Sequence, residues 1–266
     1  MLKLYHNNLS VCAQKVRIQL FEKGLPWEGI HVDLVPGEHL KPEFLKINPR
    51  GLVPVLVDDD VVVYESTVIQ EYLEDAFPEP TLRPEAPASR AQMRLWEKLP
   101  DDGLHTACAT ISFASAFAEQ LAAGLGPAKL ERRLADMPDQ ERANRQRTLM
   151  KEGFGAPFMR SAVAMYERVL DDMDNALADG RPWLVGEQYT LAEVALLPYV
   201  ARMDRLGFSG MWDRARPHVK EWFNRGEARP SFKKAMDDFQ PIDYDDLLRK
   251  RGVNLWPKLE PLLQRK

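Results

Sequence analysis

Two short stretches hold residue types whose spacing could do chemistry. In the first, Ser10 follows the polar turn Asn7-Asn8-Leu9 and stands where a helix N-cap belongs. Cys12 comes two residues later, in the first turn of that helix, where the helix dipole favours a thiolate. Plainer roles are open to both: a capping hydroxyl for Ser10 and a small buried apolar side chain for Cys12. In the second stretch, Asn48-Pro49-Arg50-Gly51-Leu52-Val53-Pro54-Val55-Leu56-Val57, two turn signals lead to a proline that opens an apolar, β-branched run. Proline cannot donate to a sheet ladder, so Pro54 is confined to an edge, a first strand position or a bulge. Val53 before it is pushed into extended geometry. Main-chain groups left without sheet partners there would accept a small extended peptide by strand addition. The alternative is an ordinary edge strand.

The elements that must position these residues follow from periodicity. Leu2 to His6 reads as a short buried strand, and the helix carrying Val16, Ile18, Leu20 and Phe21 stops at Gly24-Leu25-Pro26. Trp27 to Leu34 reads as a second strand, which makes a βαβ unit. Lys41 to Ile47 suits a helical turn or two. Val53–Val57 and Val61–Tyr64 flank the acidic turn Asp58-Asp59-Asp60 as a hairpin, and Glu65-Ser66 opens a helix that Pro78 ends. Four prolines (Pro78, Pro80, Pro84, Pro87) mark a linker. Beyond it everything is helix-patterned. Residues 91–122 carry Met93, Trp96, Leu99, Phe113 and Phe117, and residues 128–152 are so densely charged that they read as a solvated helical excursion. Residues 158–178 are amphipathic, Thr190-Leu191-Ala192-Glu193 is a capping-box pattern, and Ala228-Arg229-Pro230 is a break between helices. Trp256, Leu259 and Leu262 suggest that the final 26 residues pack on the body.

Composition narrows the functions. A chain of 266 residues has length for one large or two small domains, and 45% apolar with 29% charged residues is ordinary for a globular protein. A formal net charge of −4 argues against nucleic acid as a partner. Two cysteines give no disulfide framework and fit a reducing cytoplasm. No apolar run approaches the ~20 residues a membrane helix needs. The N-terminal residues have no signal-peptide pattern. The histidines His6, His31, His39, His105 and His218 lack ligand spacing, so no metal is expected.

Taken in order, these residues resemble the cytosolic glutathione S-transferase superfamily over essentially the whole chain. The features nearest to it are those of its bacterial β-etherase and dehalogenase members and of its zeta class. The residues that carry the resemblance are Ser10-Val11-Cys12 with Lys15-Val16-Arg17, the run Gly37 to Pro49, Val53-Pro54, Glu65-Ser66, Thr190 to Glu193 and Ala228 to Phe232. The resemblance implies an α/β thioredoxin-like domain over residues 1–79, a proline-rich linker at 80–87 and an all-α helical domain at 88–266. It implies glutathione as co-substrate. Val53 would pair with the cysteinyl residue of the tripeptide beside a cis bond to Pro54. Glu65 and Ser66 would hold its γ-glutamyl end, while His39 and Arg50 would reach its glycyl carboxylate. Read alone, His39 is a solvated histidine after a turn, and Gly51 stands where some relatives carry histidine. Ser10 would stabilise the glutathione thiolate by a charge-assisted hydrogen bond. Cys12 would resolve a glutathione adduct as a mixed disulfide, as in the dehalogenases.

The implied activity is thiolate attack on a hydrophobic, aromatic electrophile. Its pocket would lie between the domains, with Trp96, His105, Phe113 and Phe117 as candidate lining residues. β-Aryl-ether cleavage, reductive dehalogenation, isomerisation and non-catalytic ligand binding are the alternatives. A cytoplasmic homodimer acting in detoxification or aromatic catabolism, away from membranes and nucleic acid, completes the expectation.

Overall fold

The computed structural model describes residues 1–213, 215–239 and 244–264. Strand β1 (Leu2–His6) buries Leu2, Leu4 and His6 and turns Lys3 to solvent. It pairs in parallel with β2 (Trp27–His31), Leu2 opposite Trp27, and antiparallel with β3 (Val55–Asp58). Strand β4 (Val61–Tyr64) joins β3 through the acidic turn, with Asp59 at φ 49°, and the sheet order is β2-β1-β3-β4. Parallel neighbours require a crossover. Helix α1 (Val11–Glu22) supplies it, completing the βαβ unit read from the sequence.

Two expectations about this sheet need correction. The second strand ends at His31, three residues short of Leu34. Val32 still donates to the His6 carbonyl (2.8 Å), but the Asn7 side chain then takes the Val32 carbonyl (3.0 Å), and Asp33 and Glu38 bind local backbone amides in a turn. The run opened by Pro54 is not an edge strand. β3 is interior, β4 is the edge, and Pro54 stands just before the first paired residue, Val55, after a cis Val53–Pro54 bond. First-residue placement costs no ladder hydrogen bond.

Helix α1 is buried on nearly every side, because it lies between the sheet and the helical half. Leu2, Leu4 and Leu56 from the sheet meet Val16 and Leu20 of α1 and Ile69 and Leu73 of α3 (Ser66–Ala76). Residues 77–86 return the chain past α1, where the buried Lys23–Glu74 pair (2.9 Å) fixes them: Lys23 donates to the Pro80 carbonyl and Glu74 accepts from the Leu82 amide. On the other face of the sheet, Phe44 of α2 (Pro42–Leu45) packs with Val32 and Val55.

From Pro87 the described chain is helical. Helices α4 (Pro87–Leu99), α5 (His105–Ser112) and α6 (Ala118–Leu125) follow one another across π-helical turns at Pro100–Leu104 and Phe113–Phe117. The first turn kinks where Pro100 lacks an N–H and Gly103 takes φ 132°. Next come α7 (Pro127–Ala135), α8 (Gln140–Glu152), α9 (Met159–Leu177), α10 (Leu191–Arg205), α11 (Pro217–Glu227), α12 (Pro230–Met236) and α13 (Tyr244–Leu259). Ile111, Val163, Met173, Leu196 and Trp222 are fully buried in the main core. The capping box forms as its pattern predicts: Thr190 Oγ1 accepts from the Ala192 amide, and Glu193 accepts from the Thr190 and Leu184 amides.

Residues 128–152 are not a merely solvated excursion. Leu134, Met137 and Ala143 form a small core with Leu40, so α7 and α8 lean on the loop after β2. Their charge density masked an apolar stripe too sparse to stand out. Of the final 26 residues, 241–243 and 265–266 lie outside the described residues. Leu248 and Leu259 are buried against the body, and Trp256 and Leu262 pack on the main core, while Val253 faces solvent. Gly252 allows the approach, since a Cβ there would lie 1.5 Å from the Leu206 carbonyl oxygen. Among the described residues no helix is long and apolar enough to cross a membrane.

Candidate functional site

The turn entering α1 is held from several directions. Arg17, fully buried, donates to the carbonyls of Asn7 (3.2 Å) and Asn8 (3.0 Å), and Gln14 also donates to Asn8 (3.3 Å). From the helical half, Arg202 donates to the Leu9 carbonyl. These bonds fix Ser10 as the N-cap, with Oγ accepting from the Ala13 amide at 3.3 Å. A hydroxyl that accepts there keeps its own hydrogen to donate to an anion at the helix N-terminus.

Cys12 sits beside it, half-buried, and meets the helical half directly. Its Sγ lies 3.4 Å from His105 Nδ1 on α5 and 3.7 Å from the Tyr199 hydroxyl on α10, and that hydroxyl is 3.2 Å from His105 Nδ1. Burial by itself pushes the thiol up. The His105 imidazolium in contact, with the Lys15 ammonium behind it, outweighs burial and brings the thiol down to about 6. The Cys12 charge in turn holds His105 above the ordinary imidazole range. Burial, and then the same charge, drive the Tyr199 phenol well up, so it stays a hydroxyl donor. The cluster therefore favours the thiolate of Cys12 and the protonated form of His105 together, and keeps the Tyr199 phenol neutral.

A second group lies at the start of α3. Ser66, buried, accepts from Lys15 Nζ at 3.1 Å, and Thr67 accepts from the same ammonium at 3.1 Å. Glu65 holds φ 71°, unusual for a residue with a side chain, and its carboxylate pairs with Arg50 at 2.5 Å. Arg50 and Glu65 were expected at opposite ends of a ligand, and the structure brings them together on an exposed surface. Glu97 of α4 is buried with both carboxylate oxygens unpartnered among the described residues. Burial, then Glu71, pushes it up to about 8.

His39 is not solvated. It is buried in a helical turn at Glu38–Leu40, its Nδ1 has no partner among the described residues, and burial, with Arg133 and Arg142 nearby, lowers it to about 3. Gly51 has φ 59°, and a Cβ there would lie 3.1 Å from the His39 carbonyl oxygen. A side chain at that position would be strained by the positive φ and crowded by the His39 carbonyl and Leu40, which favours glycine there.

Of the expected pocket residues, His105 joins the thiol and Phe117 lies under the Arg202 guanidinium (5.2 Å). Phe113 is core, and Trp96 packs against the core. A groove of about 1070 Å³ runs between α5, α8 and α9, past Thr106, Arg145, Phe158 and Met165, and holds none of the expected site residues. Sequence reasoning gave no role to Tyr199, Arg202 or Lys15. Lys15 had the clearest signal, since it and Arg17 are the two cations of a largely buried helix.

The glutathione S-transferase N-terminal domain family matches residues 4–81, and the glutathione S-transferase C-terminal domain family matches residues 115–225. The chain is 32% identical over 266 residues to protein LigF of Sphingobium sp., covering 94% of this chain and 98% of LigF. It is 33% identical over 240 residues to glutathione S-transferase 3 of Zea mays, covering 88% and 93%. The crystal structure of β-etherase LigF from Sphingobium superposes with a TM-score of 0.80 at 31% identity, covering 89% of this chain and 99% of that one. With both domain families in order, and such relatives along nearly its full length, the chain belongs to the glutathione S-transferase family.

Proposed function

We propose that the protein forms the glutathione thiolate at Ser10 and directs it at a hydrophobic aromatic electrophile, with the β-carbon that bears the aryloxy group of a β-aryl ether as the target that best fits. The observation that carries the reading is the α1 N-terminus, rigidly capped by Ser10 and facing an imidazolium and a phenol from the other half. The likeness to a protein described as a β-etherase supports the choice of electrophile. The glutathione sulfur forms a C–S bond as the C–O bond to the aryl oxygen breaks. The electron pair leaves on that oxygen as a phenolate, which takes a proton from His105, and solvent restores it. Val53 and Pro54 would pair with the cysteinyl residue, Glu65 and Ser66 would hold the γ-glutamyl end above Lys15, and His39 would stand near the glycyl end. Arg50 would release Glu65 to the ligand ammonium, a small cost for an exposed pair.

A second reading rests on the lowered Cys12 thiol. There Cys12 attacks the sulfur of a glutathione adduct, the adduct's C–S bond breaks, and its carbon takes a proton. The resulting mixed disulfide is released by a second glutathione as glutathione disulfide. This reading makes the protein a reductive enzyme.

The site residues, the division at 1–79, 80–87 and 88–266, and a cytoplasmic place in aromatic catabolism or detoxification are parts of the same proposal. So is a homodimer, which the exposed Val61, Val62 and Tyr64 on edge strand β4, with Val68 and Leu95, would support. The test is turnover with glutathione across β-aryl ethers, aryl halides and isothiocyanates, for wild type, Ser10→Ala and Cys12→Ala. The first reading expects phenol release that Ser10→Ala slows about 100–1,000-fold, the range for losing one aimed donor, while Cys12→Ala retains it. Loss in Cys12→Ala alone selects the second reading. No turnover, and no heat on titrating glutathione, would discard both.

A further inference from the structure

Two arginines of the helical half, neither in an ion pair among the described residues, stand against the loop after β2. Arg133 of α7 crosses from the helical half and donates Nε and Nη2 to the Leu34 carbonyl at 3.3 and 3.2 Å. Its Cγ lies 3.8 Å from the Cβ position of Gly37, so the side chain runs along the loop toward His39. Arg133 is 9% exposed and His39 is 2% exposed. Arg133 Nη1 and His39 Nδ1 are both buried without a partner among the described residues. Arg142 of α8 stands close by, half-buried, with no carboxylate in ion-pairing reach among the described residues. Its charge acts on His39, Arg133 and His105 alike. The neighbouring carboxylates are already engaged: Glu38 binds the Asp33 amide and Lys41, Asp33 the Val35 amide, and Asp139 the Arg142 amide.

Buried cationic groups without a counter-charge are costly, and buried polar atoms without partners equally so. Two such atoms on neighbouring groups, one of them on the Arg133 guanidinium, with the Arg142 guanidinium as the second cation near them, mark a place for an anion. The site is also continuous with the one already described. The His39 carbonyl lies against Gly51, two residues before Val53, which leads to Pro54 and β3. A tripeptide running from Ser66 past Val53 would end there.

We propose that Arg133 and Arg142 form a carboxylate subsite across the two halves of the protein and grip the glycyl end of glutathione, the end that position 51 leaves without a side chain. This rests on the glutathione reading and deepens it. Two helices that looked like a solvated insertion become a specificity element, and ligand binding would clamp them against the loop after β2. A guanidinium suits the task, since it meets a carboxylate with paired donors.

Calorimetry tests the proposal with two probes, glutathione and its glycyl monoethyl ester, on wild type, Arg133→Met and Arg142→Met. Arg142→Met guards against misfolding, because no side-chain hydrogen bond to the protein is lost with it, and thermal unfolding is recorded for every variant. The expected result is that wild type binds the tripeptide about 10-fold or more tightly than the ester, the range for a charge-assisted pair. Each variant should lose most of that preference, with ester affinity within about twofold of wild type. Equal weakening of both probes would mean a structural role only and overturn the proposal. So would an unchanged preference in the variants, or wild type that binds glutathione without preference over the ester. Wild type binding neither probe would instead defeat the glutathione reading, and this subsite with it.

Discussion

Cys12 and Cys108, the chain's two thiols, are both free, and both lie close to α5 and α10, yet their surroundings give them opposite chemistry. Cys108 is 2% exposed inside the main core, 3.8 Å from the Ser112 hydroxyl, and burial pushes its thiol up despite Arg202 nearby. Cys12 is only half-buried, at the seam between the halves, and His105 in contact brings it down to about 6. The lesson is that depth alone makes an inert thiol. A thiolate needs a cation within hydrogen-bonding reach, and here that cation comes from 93 residues away.

The contrast can be broken most directly by alkylation. In the native protein at pH 7, iodoacetamide should label Cys12 at least ~100-fold faster than Cys108, as expected for an accessible low-pKa thiol against a buried one. Peptide mapping over time reads this, and similar rates would erase the distinction. The Cys12 rate should rise with pH through a midpoint near 6, since protonated thiol below it is inert and thiolate above it reacts. His105→Ala should move that midpoint up by about one unit or more, cutting labelling at pH 6 about fivefold or more while leaving Cys108 untouched. A midpoint that stays put would assign the lowering to Lys15 or the helix N-terminus instead. Tyr199→Phe keeps the ring and removes one hydrogen bond, so only about a two- to fivefold drop at pH 6 is expected. Cys108→Ala should leave the Cys12 titration unchanged and lower stability by about 1 kcal/mol, the scale for removing one small buried group. Denaturant unfolding measures it.

Much of the fold was legible because its signals are local. Ser10 at the N-cap, the Thr190–Glu193 capping box, the Val-rich hairpin around Asp58–Asp60 and the break at Pro230 each state their geometry within a few residues. The end of β2 was misread because a side chain, Asn7, took over a ladder carbonyl, and β-branched composition cannot report that. His39 was misread because the helices that bury it begin about ninety residues later.

The sequence by itself determined the family, the order of strands and helices, and the presence of a hydroxyl and a thiol at one helix start, since backbone propensity and capping act over a single turn. The tertiary structure alone decided which of these residues face one another. It set His105 and Tyr199 against Cys12, paired Arg50 with Glu65 and turned Arg133 inward to the His39 loop. The physical reason is that charge, burial and hydrogen bonding act through a few ångströms of space, while linear spacing fixes proximity only within an element.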